Sequence, residues 1–534
     1  MSTVTKKILI SDELAIEGLE VLKGNAEVDV QTGLSEEALC DIIGEYDALL
    51  VRSGTQVTRK IIEAGKNLKF IGRAGAGVDN IDMDAASKAG IVVANAPEGN
   101  TLAATEHTMA MMLSMCRNIP QACASMRAGE WKRSKFMGVE LNEKTLGIVG
   151  LGRIGREVAR RAASFDMRII GYDPFISKEK AAEMGIESMS IEELFTQADV
   201  ITVHTPLIKE THHIVNANSI KTMKDGVYII NCARGGIIDE QALADAVAAG
   251  KIAGAAIDVF EDEPPHADCP LLHQDRIVTT PHLGASTVEA QKNVAISVAK
   301  QCLSVLNGGE AKSVVNAPMI PVELRETITP FADLAEQMGK LLIQIVEGSV
   351  TRCDITYGGE AASFGPSTKY ITTMLLKGML DPILREPVNS INAHIIAKER
   401  GIIVTETTTE ESPGYLNLIS VKLTTNSGIV DIAGSVRYKG KRGGRLVSIS
   451  GYEVDVILEG SILISRHHDK PGVIGRFATL LGQREINIAG MQVGRFKAGE
   501  EAIMVLTIDS EVAQEDLEKM RAFPGIVNAK YVKM

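Results

Sequence analysis

The segment LGIVGLGRIGREVA constrains this chain more than any other stretch. It sets Gly150, Gly152 and Gly155 in a G-x-G-x-x-G pattern, with an apolar strand run before it and a helical pattern after it. That context gives each glycine a physical role. Gly150 allows a tight turn, Gly152 lets the backbone approach a pyrophosphate, and Gly155 lets the helix pack close to the sheet. The helix start supplies N–H groups and a positive dipole end for phosphates, with Arg153 and Ile154 at the tip of the turn. About 20 residues on, the next strand ends in Gly171-Tyr172-Asp173. A carboxylate there accepts hydrogen bonds from ribose hydroxyls and repels a 2′-phosphate, so Asp173 favours NAD over NADP.

The strands expected around this turn are 146–149, 168–172, 200–204, 227–232, 253–257 and 277–280. Helix-length segments separate most of them, as in a doubly wound nucleotide-binding fold. Residues 1–98 show a second α/β pattern, with strands expected at 8–11, 48–52, 68–72 and 91–94. Helices are expected at 103–115, 287–306 and 328–346. The last 75 or so residues read strand, helix, strand, strand, helix, strand.

Later strand ends should complete a crevice. Thr205 follows one, Cys232 and Ala233 another, and Asp258 a third, where it is expected to face a nicotinamide. Oxidising an alcohol needs a base for the hydroxyl proton. His282, in TTPHLGAST, is placed for that, with Glu263 of DVFEDEPP to orient it. Arg234, in NCARGG, suits a substrate carboxylate.

These motifs, with RAGAGVDNID, GYDP and VHTPL, resemble the D-isomer-specific 2-hydroxyacid dehydrogenases over most of residues 1–315. The resemblance implies His282 as acid/base, Glu263 as its partner and Arg234 as the carboxylate binder. It places Gly284 and Ala285 in the cofactor wall. It also implies a split substrate-binding domain (1–98 and 287–317) around an NAD-binding Rossmann domain (99–286). It is strongest to members that oxidise 3-phosphoglycerate to 3-phosphohydroxypyruvate, the first step of L-serine biosynthesis. A phosphorylated substrate calls for further cations: Arg52, Arg73 and the basic residues Arg133 and Lys135, the latter two reaching the cleft from this chain or from a partner subunit, while the turn at Gly75 and Ala76 offers N–H groups to a carboxylate. The catalytic motifs alone also admit another D-2-hydroxy acid, such as glycerate or lactate, or a non-catalytic NAD-sensing protein on the same fold.

Residues 318–456 resemble the intervening regulatory domain of the long members of that group. Its run Arg437, Lys439, Lys441, Arg442 and Arg445 reads as an anion site or a charged hairpin. Residues 457–534 resemble a βαββαβ ACT domain. In serine-sensing ACT domains the positions of Asp469 and Asn487 bind the amino acid across a dimer interface, and His467 is a third candidate. L-serine is therefore the expected inhibitor, and a homo-oligomer, a tetramer by resemblance, the expected assembly.

Composition narrows the rest. A net charge of −12 disfavours nucleic acid as a general partner. No long uncharged apolar run suggests a membrane span. The seven cysteines are scattered without a CxxC, so a reduced cytoplasmic protein without a bound metal is expected.

Overall fold

Short, buried strands build the first sheet: β1 (Lys7–Ile10), β2 (Glu27–Val30), β3 (Ala48–Val51), β4 (Phe70–Arg73) and β5 (Val92–Asn95). All run parallel in the order β2-β1-β3-β4-β5. The computed structural model describes residues 6–318, 320–385, 387–437 and 443–534. β3 is buried at every position, because helices cover both faces of a parallel sheet. β2 was not expected: it is an edge strand with exposed ends, and its sequence EVDV carries no apolar run.

The second sheet holds β6 (Thr145–Val149), β7 (Arg168–Tyr172), β8 (Glu187–Ser188), β9 (Val200–Val203), β10 (Val227–Asn231), β11 (Ile252–Ile257) and β12 (Ile277–Thr279). Its order is β12-β11-β10-β9-β6-β7-β8, all parallel. There are seven strands where six were expected; the extra one, β8, is a two-residue polar edge. The order reverses between β6 and β9, and ligands bind in the crevice outside such a switch point.

Two helices tie the units together. Thr101–Cys116 follows β5 yet packs on the second unit, against the helix Arg153–Ala163 and β11. Val288–Leu306 follows β12 and returns to the first, where Val294, Val298 and Cys302 join a core with Ile8, Leu50 and Phe70. Gly72 makes room for it, since a Cβ there would lie 2.4 Å from Val298. The chain thus crosses between the sheets twice, on either side of one cleft.

The third sheet comprises β13 (Val350–Gly359), β14 (Ile403–Thr409), β15 (Asn417–Thr425), β16 (Gly428–Arg437), β17 (Gly443–Ile449) and β18 (Tyr452–Val456). Its order is β14-β13-β15-β16-β17-β18, with one parallel pair, β13 and β14. The helices Arg325–Ile345 and Thr368–Leu380 cross closely at Gly339 and Gly378. A Cβ on either glycine would come within 2.2 Å of the other helix's backbone. Arg437 and Arg445 both pair with Asp455. Lys439, Lys441 and Arg442 lie outside the described residues.

The last sheet is antiparallel: β19 (Ser461–His468), β20 (Ile488–Arg495), β21 (Glu501–Ile508) and β22 (Ile526–Lys533), in the order β20-β21-β19-β22. With the helices Val473–Gln483 and Gln514–Arg521 it has the expected βαββαβ order. One apolar core continues from the third sheet into Ile462, Ile464 and Val505 of the fourth. Among the described residues no helix is long and apolar enough to cross a membrane.

Candidate active site

Gly150 directly follows β6 with φ +97°, a left-handed conformation that glycine adopts without steric cost. A Cβ at Gly150 would sit 2.6 Å from the His204 carbonyl oxygen, and one at Gly155 would sit 2.1 Å from the Gly150 carbonyl oxygen. Gly152 instead faces open space and begins the helix Arg153–Ala163. Backbone can therefore approach a ligand at that helix start. Arg153 pairs with Glu98, 3.7 Å away; Ile154 is half-buried in the first turn. Asp173 follows β7, and its carboxylate accepts the N–H groups of Leu151 and Phe175, each at 2.9 Å.

The Thr205 hydroxyl oxygen is buried with no partner in the protein, as is Nδ1 of His204. An orphaned hydroxyl beside a glycine cradle and a helix N-terminus fits a phosphate-bearing cofactor. Burial depresses the His204 imidazole to about 4, so this neighbour is neutral. Cys232 is buried, which pushes its thiol up to about 12. Ala233 follows it in a turn stapled by Asn231, which accepts the Ala233 N–H and donates to the Arg234 carbonyl.

A cleft of about 620 Å³ opens between the carboxyl edges of the first two sheets. It is lined by Arg52, Arg73, Gly75 and Ala76 from the first unit and by Arg234, Glu263, His282 and Ala285 from the second. Gly75 and Gly77 make space for cations: a Cβ would lie 1.9 Å from Arg73 Nη1 at Gly75, and 2.2 Å from Arg234 Nη2 at Gly77. Arg234 pairs with Asp79 at 3.1 Å. Among the described residues Arg52 and Arg73 form no ion pair, and Arg73 Nε is buried without a partner. Burial, and then the neighbouring Arg234, lower the Arg73 guanidinium from its usual value.

His282 Nδ1 lies 2.7 Å from Glu263 Oε2. Burial alone would raise the Glu263 carboxyl. The hydrogen bonds from His282 and the Phe260 N–H outweigh it and hold the group below the usual carboxylate range. His282 itself has φ +53°, uncommon for a residue with a side chain, and its N–H is held by the Asp258 carbonyl at 2.8 Å.

Asp258 departs from expectation. It is fully buried rather than turned to the cleft. Its carboxylate accepts the Thr280 hydroxyl at 2.6 Å and the N–H groups of Leu283 at 2.7 Å and Gly284 at 2.8 Å. His107 Nε2 adds a fourth contact at 3.1 Å. A carboxylate so surrounded organises the loop that carries His282. Arg133 and Lys135 stand exposed on a short turn, Arg133–Phe136, and do not line the cleft of their own chain, which leaves the approach from a partner subunit. This segment buries nothing against its own chain to pull it inward. Three contributors were missed. Ser53 and Asn80 line the cleft, as does Asn100, whose side-chain oxygen is buried without a partner. Ser53 and Asn100 stand in loops without a motif, and Asn80 lies within RAGAGVDNID but carries no charge to single it out, so only the assembled cleft marks them.

In the last sheet His467 is 1% exposed, and its Nδ1 has no partner. Asp469 binds Arg495 at 2.7 Å, and Asn487 donates to Asp509 at 2.7 Å. Registers fix their separation: His468 pairs with Glu501 at one end of β21, and Ile488 with Ile508 at the other. Asp469 and Asn487 of one chain therefore sit at opposite ends of the sheet.

The NAD-binding domain profile of the D-isomer specific 2-hydroxyacid dehydrogenases matches residues 109–284. The D-3-phosphoglycerate dehydrogenase intervening domain matches residues 327–450, and the ACT domain residues 460–525. D-3-phosphoglycerate dehydrogenase of Methanocaldococcus jannaschii is 46% identical over 529 residues, covering 99% of this chain and 100% of its own. The Bacillus subtilis enzyme of that name is 43% identical, covering 99% of each chain. A solved D-lactate dehydrogenase from Aquifex aeolicus, in complex with NAD and lactic acid, is similar with a TM-score of 0.52 and 29% identity; the match covers 57% of this chain and 96% of that one. By full-length identity and by all three profiles, the chain belongs to the D-3-phosphoglycerate dehydrogenases, NAD-dependent members of the D-isomer-specific 2-hydroxyacid dehydrogenase family.

Proposed function

We propose that the chain oxidises 3-phosphoglycerate to 3-phosphohydroxypyruvate with NAD, as the first step of L-serine biosynthesis. The observation that carries this reading is the pair of cations without an ion-pair partner among the described residues, Arg52 and Arg73, in the same cleft as Arg234 and the His282–Glu263 dyad. Lactate or glycerate needs one cation for its carboxylate. The additional guanidiniums call for a second anionic group.

Gly150, Gly152, Arg153, Ile154, Gly155, Asp173, Thr205, Cys232, Ala233, Gly284 and Ala285 would hold NAD, which supplies the hydride acceptor. Arg234 and the N–H groups of the Gly75–Ala76 turn bind the substrate carboxylate. Arg52 and Arg73 bind the phosphate, with Arg133 and Lys135 reaching it from a second copy. Glu263 keeps the proton of His282 on Nδ1, which leaves Nε2 to take the hydroxyl proton. Residues 1–98 with 287–317 form the substrate half and 99–286 the cofactor half. Residues 318–456 and 457–534 are the regulatory units.

L-serine is the proposed inhibitor. Because Asp469 and Asn487 of one chain lie at opposite sheet ends, a serine touching both bridges two copies, which makes a dimer the minimum and a tetramer the proposed assembly. Seven free thiols agree with a reducing, cytoplasmic location.

The test is NADH absorbance with 3-phosphoglycerate and NAD at alkaline pH, with product removed and L-serine titrated in. Turnover that falls with serine is expected. Inertness toward 3-phosphoglycerate would overturn the reading, in favour of another hydroxy acid if D-glycerate or D-lactate is oxidised and of an NAD sensor if neither is. Asp173→Ala should shift the NAD-to-NADP efficiency ratio toward NADP by about tenfold or more, since a carboxylate no longer opposes the 2′-phosphate. An unchanged ratio would remove Asp173 from the ribose site.

A further inference from the structure

Asp258 is 0% exposed, and its carboxylate gathers four donors. Three of them belong to the loop 280–284: the Thr280 hydroxyl and the N–H groups of Leu283 and Gly284. The fourth comes from elsewhere in the chain. His107 stands in the second turn of the helix Thr101–Cys116, 151 positions before Asp258, with Nε2 3.1 Å from Asp258 Oδ1 and 3.2 Å from Thr280 Oγ1.

Proton placement here is determined. The Thr280 hydroxyl points its proton at Oδ1, 2.6 Å away, so its oxygen faces His107 as an acceptor. Oδ1 is an acceptor as well. His107 Nε2 must therefore carry a proton, which both oxygens receive. A buried carboxylate that lost this donor would be undersolvated in a site of low dielectric, where such losses are costly.

The helix of His107 begins directly after Asn100, which lines the cleft where the chain crosses between its two halves. The loop on the far side of Asp258 carries His282, whose N–H is also held by the Asp258 carbonyl. One buried carboxylate thus joins the first crossing of the cleft to the second.

We propose that His107 is a positioning residue for hydride transfer: through Asp258 it fixes the loop 280–284, and with it the left-handed backbone that aims His282. This rests on the reading of His282 as the acid/base. His107 touches neither the cleft nor the reacting atoms, so its effect belongs in kcat rather than in substrate binding.

The test compares His107→Leu with His107→Gln, whose side-chain amide keeps an N–H donor. For His107→Leu, kcat should fall about 10- to 100-fold, the scale of a small misplacement of a reacting group. The KM for 3-phosphoglycerate should change less than about threefold, and His107→Gln should recover most of the loss. Hydrogen–deuterium exchange gives a readout free of activity: the amides of residues 282–284 should exchange about tenfold faster or more in His107→Leu and near the parent rate in His107→Gln. Parent-like exchange in His107→Leu, or equal damage in both variants, would overturn the proposal. A parent protein inert toward every hydroxy acid would instead remove the functional reading, and the exchange experiment would still decide whether His107 fixes the loop.

Discussion

His282→Ala is expected to lower NADH formation from 3-phosphoglycerate about 100-fold or more, the contribution of a positioned general base, while NAD binding changes less than about threefold. The asymmetry follows from location. His282 lines the cleft and shares its proton with Glu263 at 2.7 Å, whereas the glycine cradle and Asp173 stand at the β6 and β7 ends. Alanine deletes the base and leaves the φ +53° backbone to the Asp258 carbonyl that holds its N–H. Glu263→Gln should cost less, because an amide still orients the ring but no longer stabilises the imidazolium.

Glu263 also sets the sign of one pH dependence. It is held below its usual range, so it stays ionised at neutral and alkaline pH. Its support for the folded state is complete above its unfolded pKa, about 4.3, and is lost as pH falls through the lower folded value. Activity lost above about pH 5 therefore belongs to other groups. Near-parent turnover in His282→Ala would take His282 out of the mechanism.

The central dyad was legible in the sequence because both members follow strands of one parallel sheet, and strand ends of such a sheet converge on one crevice. The same logic placed Arg52 and Arg73 in the cleft from β3 and β4. It failed wherever a strand left no apolar signature. β2 and β8 are polar edges, visible only through their pairing with β1 and β7. It failed also where a charge has two possible directions. Asp258 follows β11 as a cleft residue would, but two backbone N–H groups and a hydroxyl turn it inward. No spacing rule joins His107 to Asp258, because helix packing brings them together. The tail posed the opposite problem. Its element order was plain, yet only strand register shows that Asp469 and Asn487 cannot meet within one chain.

The second large effect is expected at Arg73. Its guanidinium sits over the Gly75 turn, partly buried, beside Arg234 and without an ion pair among the described residues. Like charges brought together out of water repel, and burial adds a desolvation cost to each. A multiply charged substrate removes both penalties at once, so the site is unfavourable alone and favourable when filled. Arg73→Met should accordingly raise the KM for 3-phosphoglycerate about 100-fold, within the 2–5 kcal/mol range of a truncated buried charge contact. D-Glycerate, which lacks the phosphate, should lose far less, so the preference between the two substrates collapses. The unliganded variant should melt no lower than the parent, because the change removes a repulsion and keeps a side chain of similar length. Parallel losses on both substrates would move Arg73 to the carboxylate. A melting point several degrees lower would mean that the guanidinium holds the loop rather than the ligand. Only selective loss of 3-phosphoglycerate with stability retained agrees with a cation kept in the cleft for a second anionic group.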